Sequence, residues 1–220
     1  AERIDANLLN VKVDELVNLP KDMYDKKIDN LRQMTPGRLI IKEYPTAAAH
    51  SGHFRHLINE LKIKRNFAPD IIYIDYLNIC SSSRTKAIGG TINSYTYIKA
   101  IAEELRGLAV EKNVPIVSAT QTTRSGFSNS DLGLEDTSES FGLPATADFM
   151  FAIINSDEME QLGQLMVKQL KNRYNDPTLF KRFVIGVDRA KMRLYDVEQT
   201  AQTDIVDDGP VMDNTEVGKG

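Results

Sequence analysis

Apolar residues along the first third of the chain recur at three- and four-residue spacing. Ile4, Leu8, Leu9, Val13, Leu16 and Val17 read as short helical pieces. Pro20 suits a first helical position, and Met23, Ile28, Leu31 and Met34 continue a helical stripe that Pro36-Gly37 stops. Residues 38–44 predict a strand. Ser51 is placed to cap the next helix, whose Phe54, Leu57, Ile58 and Leu61 fall at i, i+3, i+4 and i+7, and Asn66 and Pro69 end it. From residue 71 the pattern changes. Ile71-Ile72-Tyr73-Ile74 is a continuous apolar run, the signature of a strand buried on both faces of a parallel sheet. A long helix follows, with Ile92, Tyr95, Ile98, Ile101, Ala102, Leu105, Leu108 and Ala109 on one face, and then a second buried strand over 115–120. Strand, helix, strand in this order predicts an α/β fold with a mostly parallel sheet and right-handed crossovers. Further strands over 148–155, 165–173, 180–188 and 192–197 have turn signals at 175–177 and 189–191, which predicts hairpins and antiparallel strands at the C-terminal end.

Two segments lack such patterning. Residues 121–139 are rich in Ser, Thr, Gly, Asn and Asp, and a loop of that length inside a domain is usually functional or mobile. Residues 199–220 are polar and acidic and predict a disordered tail. Composition narrows the class. With 220 residues, 41% hydrophobic and 26% charged, the chain can bury a substantial core. A net charge of −4 excludes a nucleic-acid binder that is basic over its whole surface, but leaves room for a local basic stripe. The single Cys80 forms no internal disulfide and points to a reducing compartment. No run approaches the roughly 18 apolar residues of a membrane span. The first residues lack a signal-peptide pattern and read as mid-helix, so a piece of a longer chain is expected.

Candidate chemistry lies at strand ends. Asp75 follows the apolar run 71–74, and in open α/β sheets ligands sit beyond the carboxyl ends of the strands. An acid there holds Mg²⁺, directly or through water, beside nucleotide phosphates, or else caps the next turn. Gln121 ends the next parallel strand, as a phosphate-sensing amide or as a polar residue leaving the sheet. Lys171-Asn172-Arg173 closes a later strand within a run of basic residues, either a solvated hairpin or a pair of cations pushed into a phosphate site. His50, His53 and His56 drift around a helix with no acid or Cys to complete a tetrahedral set, which argues against a metal. Glu103 and Glu104 are adjacent on a helix and point apart, so they are no acid–base pair. No G-x-x-x-x-G-K-[ST] phosphate cradle stands in the 220 residues.

These motifs, in this order, resemble the DnaB-like hexameric replicative helicases. Residues 71–77 are similar to their Walker B segment, Thr120-Gln121-Thr122-Thr123-Arg124 to their Ser-Gln-Leu-Asn-Arg segment, Ser138-Glu139-Ser140 with Ala147-Asp148 to their Arg-Glu-Ser…Ala-Asp block, and Lys171-Asn172-Arg173 to their Lys-Gln-Arg segment. Residues 95–109 and 142–150 are most similar to the replicative helicases of T-even-type tailed phages. The resemblance implies a partial RecA-like P-loop NTPase core over 1–198, with 199–220 a tail. It implies ATP or another NTP with Mg²⁺, single-stranded DNA, a homohexamer, primase and a helicase loader as partners, and a place in the cytoplasm of the host cell. It makes Asp75 the magnesium-side acid, Gln121 the phosphate sensor, and Lys171 and Arg173 cations given to a neighbouring subunit's nucleotide. It places 81–93 and 124–140, with Arg124, Ser138, Glu139 and Ser140, on loops that touch DNA. It sets the Walker A loop and the following catalytic Glu upstream of Ala1, so this chain alone is expected not to hydrolyse ATP. Ser138 departs from the family's Arg. The alternatives are a RecA-type recombinase or other ring ATPase, disfavoured by the 171–173 and 143–148 blocks, and a non-catalytic module that binds DNA or a partner.

Overall fold

A computed structural model describes residues 2–84, 94–122, 133–134, 142–176 and 178–198. These fall into two compact units. The first gathers the described residues up to Leu31, those from Asn155 to Val167, and those from Arg182 on. The second takes Arg32–Ile154 and Lys168–Lys181.

In the first unit the apolar spacing of the opening residues gives α1 (Glu2–Leu9) and α2 (Val13–Leu16), with Ala6, Leu9 and Val11 buried. Polar contacts fix these helices to the turn between β5 (Arg182–Asp188) and β6 (Arg193–Asp196). Asn7 Nδ2 donates to the Met192 carbonyl at 2.6 Å, and the Val13 amide to the Ala190 carbonyl at 2.9 Å. β5 and β6 are antiparallel, with Gly186 opposite Tyr195, as the turn signal predicts. Helix α3 (Lys21–Met34) buries no residue.

The second unit is built on one long helix. After α4 (Ser51–Arg65) and β1 (Ile72–Ile74), α5 (Ser94–Lys112) carries Ile98, Ile101, Ala102, Leu105 and Leu108 inward. Four of them, Ile98 to Leu105, pack on Leu77, Cys80 and Leu143, with Phe54, Ile74 and Tyr97 at the margin. β2 (Ile116–Ser118) pairs parallel with β1 in the register Ile72–Ile116, Tyr73–Val117, Ile74–Ser118. A short helix, α6 (Gly142–Thr146), brings Leu143 to that core, and β3 (Phe149–Ile154) follows. The α/β class, the parallel pair and the late antiparallel strands are as the sequence predicts.

Three local expectations are corrected. Residues 35–45 form no regular element, because 38–44 has no strand to pair with among the described residues, and Leu39 and Ile41 are exposed. The cap of α4 is His50, not Ser51. The His50 imidazole accepts from the Gly52 amide at 3.0 Å, and His53 Nδ1 accepts from the His50 amide at 3.2 Å. The ring lies so close that a Cβ on residue 52 would strike it, which is why glycine stands there. β1 is not buried on both faces: it pairs only with β2 among the described residues, and Tyr73 is 70% exposed. Between β3 and β4 (Gln164–Asn172) the chain forms a helix, α7 (Asp157–Gln161). Ser156 caps it by accepting from the Met159 amide at 3.2 Å, and Gly163, at φ +63°, takes the left-handed position that ends it.

Glu104 secures the segment beyond β1. Its carboxylate accepts from Ser51 Oγ at 2.8 Å, Ser82 Oγ at 2.5 Å, Ser83 Oγ at 2.8 Å and the Ser83 amide at 3.1 Å. Burial alone would raise its pKa, but these four donors favour the anion and bring it down from 4.5 to about 2. A carboxylate whose folded pKa is depressed stabilises the fold fully above its unfolded pKa and loses that contribution as pH falls through the folded one. Glu104→Gln is therefore expected to lower stability by about 2 kcal/mol at neutral pH. In urea melts the gap between wild type and variant should close as pH drops from 4.5 towards 2. A gap that stays constant across that window would refute this role.

Candidate functional site

The parallel register of β1 and β2 puts two strand tips side by side. Beyond the last ladder pair the tips stay joined. Ser118 Oγ donates to the Ile74 carbonyl at 2.8 Å, and the Leu77 amide to the Ala119 carbonyl at 3.1 Å. Thr120 Oγ1 donates to Asn78 Oδ1 at 2.9 Å, and Gln121 Nε2 to the Tyr76 hydroxyl at 3.3 Å. Asp75 lies between these contacts, and the peptide that follows it is cis. Its exposed carboxylate makes no hydrogen bond or ion pair among the described residues. The structure thus brings Asp75 and Gln121 to neighbouring tips, as their positions predict. Tyr76 and Asn78 were not read from the sequence; their partners are 45 and 42 residues away, and no local spacing announces them.

One free carboxylate fits a hard divalent ion held mainly by water and phosphate oxygens. It does not fit a protein cage, and no cluster of three or more His, Cys, Asp or Glu exists among the described residues. Two of the three histidines are engaged otherwise: His50 and His53 cap α4.

Lys171 and Arg173 close β4 in a second cluster. Lys171 Nζ donates to the Pro144 and Ala145 carbonyls, the latter at 3.4 Å. Arg173 donates through one guanidinium nitrogen to the Ala145 carbonyl at 2.9 Å and through the other to Asp148 Oδ1 at 3.1 Å. From α5, Arg106 reaches the same carboxylate, with contacts of 3.0 Å to Oδ1 and 3.3 Å to Oδ2. A cleft of about 390 Å³ opens beside them, lined by Glu103, Arg106, Gly107, Val110, Ala145, Thr146 and Arg173. The hydrogen bond from Arg106 holds the Asp148 pKa below the ordinary aspartate value, with the Arg173 charge adding to it. Burial pushes the Lys171 pKa down, and the neighbouring Arg173 charge acts in the same direction. Arg106 was not singled out from the sequence, since it is 42 residues from its acid and part of an ordinary amphipathic helix. Arg124, Ser138, Glu139 and Ser140 lie outside the described residues.

Two parallel strand tips bearing a free acid and an amide, with paired cations ending a later strand, are the features of a nucleotide-handling α/β domain. The chain belongs to the DnaB-like helicase C-terminal domain family, whose model matches residues 1–180. It is 44% identical over 202 residues to a DnaB-like replicative helicase of Enterobacteria phage T4, a match that takes in 90% of this chain and 42% of that protein. It is 39% identical over 69 residues to a probable plasmid replicative DNA helicase of Chlamydia muridarum (strain MoPn / Nigg), covering 31% of this chain and 14% of that one. The chain therefore spans less than half the length of these relatives. Among solved structures it is similar to an ATPase domain, at TM-score 0.72 and 14% identity, over 89% of this chain and 69% of that one. It is also similar to a DnaB-like replicative helicase studied for its interactions with primase, at TM-score 0.72 and 15% identity, over 90% and 47%. The fold is the RecA-like α/β core of these ATPase domains. No helix among the described residues is long and apolar enough to cross a membrane.

Arg106 lowers the pKa of Asp148, and this is measurable. In a carbon-detected NMR titration, Asp148 is expected to titrate below the ordinary aspartate range, and Arg106→Ala should move its midpoint up. An unchanged midpoint in the variant would place the main cause of the shift elsewhere.

Proposed function

We propose that this chain is part of the motor of a replicative helicase that couples ATP hydrolysis to movement along single-stranded DNA and to unwinding of the duplex. The observation that carries the reading is the pair of joined strand tips, with Asp75 free and Gln121 beside it. Asp75 would hold the magnesium-side water shell of a bound nucleotide. Bound Mg²⁺ would supply charge neutralisation at the β- and γ-phosphates. Gln121, tethered to the Tyr76 hydroxyl, would sense the terminal phosphate and pass its presence to the segment after β1. Lys171 and Arg173 would stabilise charge on the nucleotide of a neighbouring subunit in a hexameric ring. Arg124, Ser138, Glu139 and Ser140 would contact DNA in the central channel. Primase and a loader would dock on the assembled ring in the cytoplasm of the host cell.

The 220 residues contain no phosphate-cradling G-x-x-x-x-G-K-[ST], whose amides and Lys hold the β- and γ-phosphates. The chain alone is therefore expected to show no DNA-stimulated ATP hydrolysis. Function is tested in a chimaera: residues 1–198 replace the matching stretch of the phage T4 helicase, which supplies the remaining sequence. The chimaera should assemble and hydrolyse ATP in response to single-stranded DNA. Asp75→Asn, which keeps shape and removes charge, should reduce turnover at least a hundredfold with unchanged thermal melting. Normal turnover in that variant would leave Asp75 as a cap of the next turn, and the reading would fall.

A further inference from the structure

Asp148 has a place in no step described so far, yet it pairs with Arg173, one of the two candidate cations. Three acceptors face the two candidate cations: the Pro144 and Ala145 carbonyls, from near the end of α6, and Asp148 Oδ1. The C-terminal end of a helix carries partial negative charge and favours cations, here reinforced by a full carboxylate one residue beyond the helix's flank. Thr146 Oγ1 donates back to the Gly142 carbonyl at 2.8 Å, which braces the short helix. Leu143 anchors it in the core of α5. The seat is thus rigid, while the Arg173 side chain remains 43% exposed. Two of its nitrogens are held by protein acceptors, which sets the orientation of the guanidinium plane. Arg106 shares Asp148 Oδ1 and binds Oδ2, so the carboxylate itself is held from a second side.

We infer that Asp148 is a positioning residue that, with Arg106 behind it and the α6 carbonyls beside it, fixes the direction in which Arg173 presents its guanidinium to a phosphate. This rests on the reading of Arg173 as a cation that acts on a neighbouring subunit's nucleotide. A fixed guanidinium loses less freedom when the phosphate arrives, and misplacement of a catalytic group by about 1 Å costs on the order of a hundredfold in rate. The hydrogen bond from Arg106 favours the ionised form of Asp148, so its pKa lies below the ordinary aspartate value.

The first test uses the 220-residue chain as it is. An arginine-selective dicarbonyl should modify Arg173 several times faster in Asp148→Asn than in wild type, followed residue by residue by mass spectrometry. Equal rates overturn the proposal. The second test uses the chimaeric ring. Asp148→Asn should cut turnover by about ten- to a hundredfold with the KM for ATP nearly unchanged. Asp148→Glu should restore part of the loss, which a purely structural defect would not allow. Asp148→Asn added to Arg173→Ala should give no further decrease, since the acid acts through the arginine. If Arg173→Ala abolishes turnover while Asp148→Asn does not, the positioning role is overturned and the reading of Arg173 stands. If Arg173→Ala leaves turnover intact, both fall together.

Discussion

The second unit depends on the apolar stripe of α5. Ile98, Ile101, Ala102, Leu105 and Leu108 are buried along one face, and the contacts of that face settle where its neighbours lie. Leu77 and Cys80 bring in the chain just after β1; Leu143 brings in α6. Each fully buried aliphatic side chain stabilises the fold by about 1.5–3 kcal/mol relative to an exposed one. The polar positions of the same helix then acquire fixed partners. Glu104 takes the three serines, Arg106 takes Asp148, and Glu111 takes Arg55 of α4 at 2.7 Å. The same helix thus carries the polar groups that hold the segment after β1 and the Asp148 cluster.

The weight of these contacts differs. Arg55–Glu111 and Lys64–Glu60 are pairs of exposed groups, screened by water and salt, and contribute little to stability. Glu104 accepts four hydrogen bonds, and Ser51 and Ser82 among its donors are buried. Its loss would remove an ionised acceptor from largely buried hydroxyls, and so it matters more than any of the surface pairs.

The long elements were legible in the sequence because periodicity integrates over many residues. Helix α5 needed five or more apolar positions in phase, and the late strands had both alternation and turn residues to bound them. The short elements were not. Helix α6 has five residues, one of them Pro144, and its stability comes from Leu143 in the core and the Thr146 side chain, which no local pattern shows. Asp75 and Gln121 could be paired in advance because strand order and direction follow from the α/β pattern. Their tethers through Tyr76 and Asn78 could not, since these join side chains over 40 residues apart. The acid that seats Arg173 was visible only as part of a block before a strand, with nothing in its spacing to say which cation it would meet.

The face of β3 gives the chain a particular behaviour in concentrated solution. Phe149, Phe151 and Ile153 alternate along the strand and are 49%, 48% and 57% exposed, and among the described residues β3 has a strand neighbour on only one side. An open edge with an apolar row beside it is a template on which another extended segment can add, chain after chain. An extended segment that covers this edge would compete with such growth, because it takes up the same free backbone groups and the same apolar row.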